Sequence, residues 1–119
     1  MQDLIKTTKA LSDETRLRIL NVLLERECCV CEVMQALDIS QSRASRNLGI
    51  LEDAGFLKAR REGAWVVYFI NVEGTQKYSS DLVKVVKEVL KDNGVVAIDR
   101  ERLRKAERIG PGCVRRLVQ

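Results

Sequence analysis

The chain contains no histidine, the residue that most often serves as a general base near neutral pH and the commonest nitrogen ligand of zinc. It has no apolar run approaching the roughly twenty residues that a membrane-spanning helix needs, and its start carries no apolar h-region of a secretory leader. A cytoplasmic protein with no membrane partner is the expectation. Proline occurs once, as Pro111, and aromatic residues make up only 4% of the chain. No internal repeat or low-complexity tract is visible. A glycine-rich phosphate loop, a Ser/His pair and convergent carboxylates are all missing, so the sequence does not predict an enzyme.

What is present is charge and cysteine. With 119 residues, 45% of them hydrophobic, the chain suits a single core, expected over 1–94 with a basic extension over 95–119. The first 98 residues balance 14 Lys/Arg against 14 Asp/Glu, so the net charge of +4 sits in residues 99–119. Overall basicity therefore says little about a nucleic-acid partner, and individual cation positions must carry that argument. Cys28, Cys29 and Cys31 lie too close along the chain to staple a fold. In a reducing compartment they are expected as thiols, available for metal binding or redox chemistry.

Apolar spacing predicts helices over 3–11, 14–26, 30–37, 41–54 and 76–91. Ser12-Asp13-Glu14 and Ser40 read as helix starts, and Gly55 reads as a left-handed stop. Residues 56–61 and 65–71 are β-rich runs joined through Glu62-Gly63-Ala64, a hairpin pattern. Residues 99–107 read as a short charged helix within an otherwise loosely ordered tail. The stripe of Tyr78, Leu82, Val85, Val86 and Val89 needs a partner, either in its own chain or in a second copy. The element order predicts a mainly α fold with a β-hairpin wing, α-α-α-α-β-β-α, the winged helix-turn-helix.

In that arrangement the helix after the turn enters the major groove of double-stranded DNA, and the hairpin lies along the neighbouring backbone. Gln41 and Asn47 carry paired donor and acceptor suited to adenine, while Arg43 and Arg46 are neighbours on one side of the helix. Ser42 and Ser45 suit phosphate or base contacts, and Arg60 and Arg61 at the wing suit phosphates. The combination of basic face, turn and hairpin favours DNA over a merely solvated helix face.

Ala10-Leu11-Ser12-Asp13-Glu14-Thr15-Arg16-Leu17-Arg18-Ile19-Leu20 resembles the A-L-(S/A)-D-x-T-R-L-x-I-L opening of the arsenic-repressor (ArsR/SmtB) family. Ser40-Gln41-Ser42 with Ser45, Leu48, Leu51 and Ala54-Gly55 is similar to that family's recognition helix, although Asn47 stands where many members have histidine. The resemblance covers about residues 8 to 71. It implies a homodimer joined through the first and last helices, repressing transcription from an inverted-repeat operator.

Glu27-Cys28-Cys29-Val30-Cys31-Glu32-Val33 resembles the E-L-C-V-C-D-L motif of the family's thiolate-sensing branch, with Cys29 and Cys31 matching its cysteines and Cys28 in place of leucine. A helix N-terminus is expected to lower a thiol pKa, and thiolates bind soft ions. The implied effector is trivalent arsenic or antimony, whose release of the repressor needs no catalytic cofactor. On an ideal helix Cys29 and Cys31 stand about 200° apart and Cys28 and Cys31 about 60°. Three sulfurs then converge on one ion only if the first turn unwinds, which would move the DNA-reading elements. The third sulfur is Cys28 or Cys113, and Cys28 is favoured because recruiting the tail means ordering several residues. A thiol redox or persulfide sensor is the alternative. Cadmium or lead sensing resembles a branch with a cysteine on a long N-terminal arm, where this sequence has only Met1 to Leu11 before the core.

Overall fold

Side-chain caps set where the first helices begin. The computed structural model describes residues 1–72 and 77–109. Within them α1 covers Gln2–Leu11 and α2 covers Glu14–Glu25, with the Asp13 carboxylate accepting the Arg16 N–H as N-cap. A carboxylate there satisfies a backbone donor that the helix cannot and sits at the positive end of its dipole. β1 (Cys28–Cys29) and α3 (Val30–Leu37) follow, and α3 ends at Asp38 in the left-handed region, φ 58°.

Ser40 caps α4 (Gln41–Asp53) by accepting the Arg43 N–H at 3.2 Å. Gly55, φ 91°, then stops the helix as the sequence predicts. The Phe56 N–H reaches back to the Leu51 carbonyl and the Gly55 N–H to that of Glu52, a Schellman closure that turns the chain into the hairpin. β2 (Leu57–Glu62) and β3 (Trp65–Ile70) pair antiparallel across Gly63, φ 62°. β1 pairs on the far side of β3, giving the sheet order β1-β3-β2.

The core gathers Ile19 and Leu20 of α2, Leu37 of α3, Leu48 and Leu51 of α4, and Phe56 beneath the wing. α5 (Lys77–Leu90) buries Val83 and Val86 but leaves Val85 and Val89 exposed, as α1 leaves Leu4 and Ile5. Val85 and Val89 belong to the stripe for which the sequence asks for a partner, and α1 is the first helix, where the family resemblance implies a dimer seam. No helix of the described residues is long and apolar enough to cross a membrane.

Two features depart from the sequence expectation. The strand β1 is an addition, too short for any periodicity to show. The larger change is α6 (Gly94–Lys105), which begins well before residue 99 and is capped by the Asn93 side chain accepting the N–H groups of Val95 and Val96. It buries Val96, Asp99 and Leu103 against α2 and α3. Residues 95–109 are thus packed on the helical core, and a boundary after 94 cuts through the start of a docked helix. Residues 110–119, including Cys113, lie outside the described residues.

Docking of α6 turns on one ion pair. Arg18 on α2 donates through Nε and Nη2 to both oxygens of Asp99, each at 2.8 Å, and through Nη2 to the Leu37 carbonyl at the end of α3. Asp99 is fully buried, and its carboxylate holds the guanidinium pKa above the ordinary arginine value. A buried charge is tolerated only when matched this fully.

Candidate functional site

Cys28 and Cys29 are consecutive strand residues, so their side chains face opposite ways. Cys28 joins the main core, its sulfur 3.5 Å from the Arg26 carbonyl. Cys29 turns to the other face, where it is buried beside Trp65, and ends the strand as N-cap of α3, with extended φ −81° and ψ 171°. From that position its sulfur comes within 2.8 Å of the Cys31 sulfur in the first turn, and both pack beside Trp65 of β3. The helical projection that separates Cys29 from Cys31 and brings Cys28 to it does not apply, because the helix begins only at Val30. The pair forms without unwinding.

Glu32 holds this arrangement together. Its side chain is almost wholly buried, accepts the Cys29 N–H at 2.9 Å and takes the Arg26 guanidinium on its other oxygen at 2.5 Å. Burial pushes its pKa up, but these donors outweigh that and hold the carboxyl below its ordinary value. The Glu32 N–H in turn faces the Cys29 sulfur, completing a reciprocal cap.

Burial also overrides the helix terminus at the thiols. Cys28 is pushed up to about 12 by desolvation, and Cys29 is raised for the same leading reason despite the Glu32 N–H. The expectation of lowered thiol pKa values is therefore corrected: the site is dry, and desolvation disfavours thiolate. Cys31 is disulfide-bonded in the structure, where composition led us to expect a thiol. Among the described residues no three Cys, Asp or Glu side chains converge as a metal cluster. For Cys28, native alkylation by iodoacetamide at pH 8 under reductant is expected to be at least about tenfold slower than in urea, since only thiolate reacts. Labelling of Cys28 as fast as in the unfolded chain would show that it reaches solvent.

The residues that the sequence expects at DNA divide. Gln41, Ser42, Ser45 and Arg46 lie along the accessible face of α4, and among the described residues neither Arg46 nor Arg61 is engaged in a hydrogen bond or ion pair. Arg43 is exposed but donates to the Thr15 hydroxyl at 2.7 Å. Asn47 is the correction. It is 4% exposed, its amide nitrogen donates to the Arg43 carbonyl, and its amide oxygen accepts from Arg16 Nη1 at 2.9 Å. With both ends of the amide used inside the protein, Asn47 joins α4 to α2 and does not face a base. Arg60 reaches Glu27 at 2.9 Å and Glu62 at 2.7 Å, and these carboxylates raise its pKa.

Residues that the sequence did not single out complete the site. Trp65 closes over the sulfur pair, Arg26 and Gln35 bind carbonyls in the last turn of α6 and just after it, and Arg108 approaches from beyond that helix. Only the position of Trp65 next to the hairpin turn gave a signal, through the pairing that an antiparallel register imposes.

Comparison with known proteins agrees with this geometry. Residues 13–59 match the model of the bacterial regulatory protein arsR family. The chain is 44% identical over 79 residues to an arsenic resistance transcriptional regulator of Pseudomonas putida, a match covering 66% of this chain and 62% of that protein. It is 42% identical over 82 residues to a helix-turn-helix-type transcriptional regulator of Methanocaldococcus jannaschii, covering 68% of this chain and 88% of that one. Among solved structures it is similar to a homodimeric winged helix-turn-helix DNA-binding domain from Mycobacterium bovis. That likeness has a TM-score of 0.64 at 29% identity and covers 78% of this chain and 82% of that one.

Proposed function

From the premise that this chain belongs to the arsR family of bacterial regulatory proteins, we propose that it is a DNA-binding transcriptional repressor, acting as a homodimer and released from its operator by trivalent arsenic or antimony. It is a regulator, not an enzyme. The observation that carries the effector reading is the pair of buried sulfurs, Cys29 and Cys31, 2.8 Å apart at the start of the first helix of the DNA-binding motif. An ion bonded to both would take its bonds from the first turn of α3 and from beside Trp65 of the wing, so its binding would bear on both elements. With the Cys31 disulfide reduced, the two sulfurs make a donor set that thiophilic ions favour, and burial keeps water from competing.

The third sulfur we assign to Cys113 in preference to Cys28. Cys28 faces the core, and turning it toward Cys31 would break the β1 pairing with β3. The Ile109 N–H, in contrast, already donates to the Cys31 sulfur at 3.5 Å. Cys113 is four residues further along, within the roughly 13–14 Å that such a length can span. The disulfide state of Cys31 favours one second reading, in which oxidation of this cluster releases DNA in place of ion binding.

The exposed apolar side chains of α1 and α5 suit the dimer, which places two recognition helices and two wings on an inverted repeat. Operator affinity is expected to fall steeply with salt, because Arg43, Arg46 and Arg61 are duplicated by symmetry. Arg46→Ala should lose about 1–3 kcal/mol on the operator and less on random duplex, whereas Arg61→Ala should weaken both alike. Titration of both variants on both duplexes tests this; equal losses for the two would remove the division between base and phosphate contacts. Adding arsenite under reductant to the wild-type complex tests the effector, and release only on adding an oxidant would favour the second reading.

A further inference from the structure

We infer that residues 106–109 form a strap through which the sulfur pair controls the wing, with Gln35 and Arg108 as its positioning residues. The inference rests on the sensing role proposed for Cys29 and Cys31.

The strap is fixed at its start. Arg26 donates to the Leu103 and Ala106 carbonyls, each at 3.2 Å. Gln35 on α3 grips Glu107 twice: its amide nitrogen donates to the carbonyl at 2.8 Å and its amide oxygen accepts the N–H at 3.3 Å. The next two residues then touch both the sulfur pair and the wing. Ile109 donates its N–H to the Cys31 sulfur and accepts the Trp65 indole N–H at 3.3 Å. Arg108 donates to Glu62 at 2.9 Å, lies 3.6 Å from Glu32 and sits 6.0 Å from the Trp65 ring centroid. A single residue therefore joins a sulfur of the pair to the side chain that begins β3.

The electrostatics give the direction of the effect. Beside the hairpin turn, Arg60, Arg61 and Arg108 face Glu27 and Glu62, while Glu32 beneath them is already matched by Arg26. Glu62 is shared between Arg60 and Arg108, and these two cations, Arg108 first, hold its carboxyl below its ordinary pKa. Displacing Ile109 draws Arg108 away. Glu62 and Glu27 are then left to neutralise Arg60, and the wing loses its surplus positive charge toward the DNA backbone. The packed interior between α3 and α4 offers no comparable give, since Leu37, Leu48 and Leu51 are essentially solvent-free and such cores deform little.

The test uses the full chain with Arg108→Gln and Gln35→Ala, the second of which frees the strap without removing a charge. Amide hydrogen exchange over 62–65 in the effector-free protein is expected to speed up about tenfold in both variants, with 41–53 unchanged. Arsenite is supplied at concentrations that saturate each variant, as judged by the emission of Trp65. The ratio of operator affinities without and with arsenite should shrink at least about fivefold. Wild-type exchange over 62–65 in both variants overturns the strap, as does an unchanged affinity ratio in a wild type that responds to arsenite. If wild type binds no arsenite, the effector assignment falls alone, and hydrogen exchange still decides the strap.

Discussion

Cys29→Ser and Cys31→Ser are each expected to bind the operator within about threefold of wild type and to show no release by arsenite at any concentration that frees the wild type. The first half follows from local structure. Serine is a preferred N-cap, so the hydroxyl of Cys29→Ser can take over the reciprocal bond with the Glu32 backbone, and α3 should start where it does now. Cys31 touches Trp65 and the Ile109 N–H, both contacts that a hydroxyl tolerates. The second half follows from chemistry, because an alcohol oxygen does not replace thiolate toward a soft ion. Allosteric coupling of about 1–3 kcal/mol would lower wild-type operator affinity about 5- to 150-fold, and the variants should show none of it. The measurement is an operator titration under reductant, with Trp65 emission as the binding signal. Cys113→Ser should weaken arsenite binding more than Cys28→Ser; the reverse order would return the third ligand to Cys28. Loss of effector-free DNA binding in both pair variants would instead mean that the cysteines are structural.

Arg18→Met is expected to be the most damaging of the polar-to-apolar changes on α2. It leaves the Asp99 carboxylate, fully buried, facing apolar helix surfaces without its cation. Breaking one partner of a buried pair costs about 3–5 kcal/mol, enough to consume much of the stability of a small domain. The double variant Arg18→Met/Asp99→Leu should recover most of the loss, because removing both charges removes the uncompensated desolvation. Urea unfolding of the four proteins gives the cycle directly. A double variant no more stable than Arg18→Met would show that the Arg18 bond to the Leu37 carbonyl, not the ion pair, holds the three helices together.

The same ion pair explains why α6 was hard to read. Its buried face is Val96, Asp99 and Leu103, and a carboxylate in the middle of that stripe makes the spacing look like a solvated helix. Gly94 also reads as a break, although Asn93 before it is a good N-cap. In contrast, α4 was legible at both ends because Ser40 and Gly55 do local jobs that few other residues do. The amide of Asn47 suits adenine as well as it suits a carbonyl and an arginine, and only the position of Arg16, which sequence does not show, decides between them. Of the cysteines, proximity was legible and direction was not. Two strand residues rotate the sulfurs by half a turn relative to a helix, so the pair that meets is Cys29 and Cys31 and the one that withdraws is Cys28.

Arg16 has a geometric consequence for the operator itself. Its guanidinium holds the Ala10 and Lys9 carbonyls at the end of α1, at 2.6 and 3.1 Å, and the Asn47 amide within α4. In a dimer joined through α1, the seam between subunits and the helix that enters the groove therefore hang from one planar cation. Each reading helix is thereby tied to its own subunit's side of that seam. The complex should be intolerant of spacer length: inserting or removing half a turn of DNA, about 5 bp, between the half-sites puts the second groove on the wrong face of the duplex, and a body braced this way has no hinge with which to follow it.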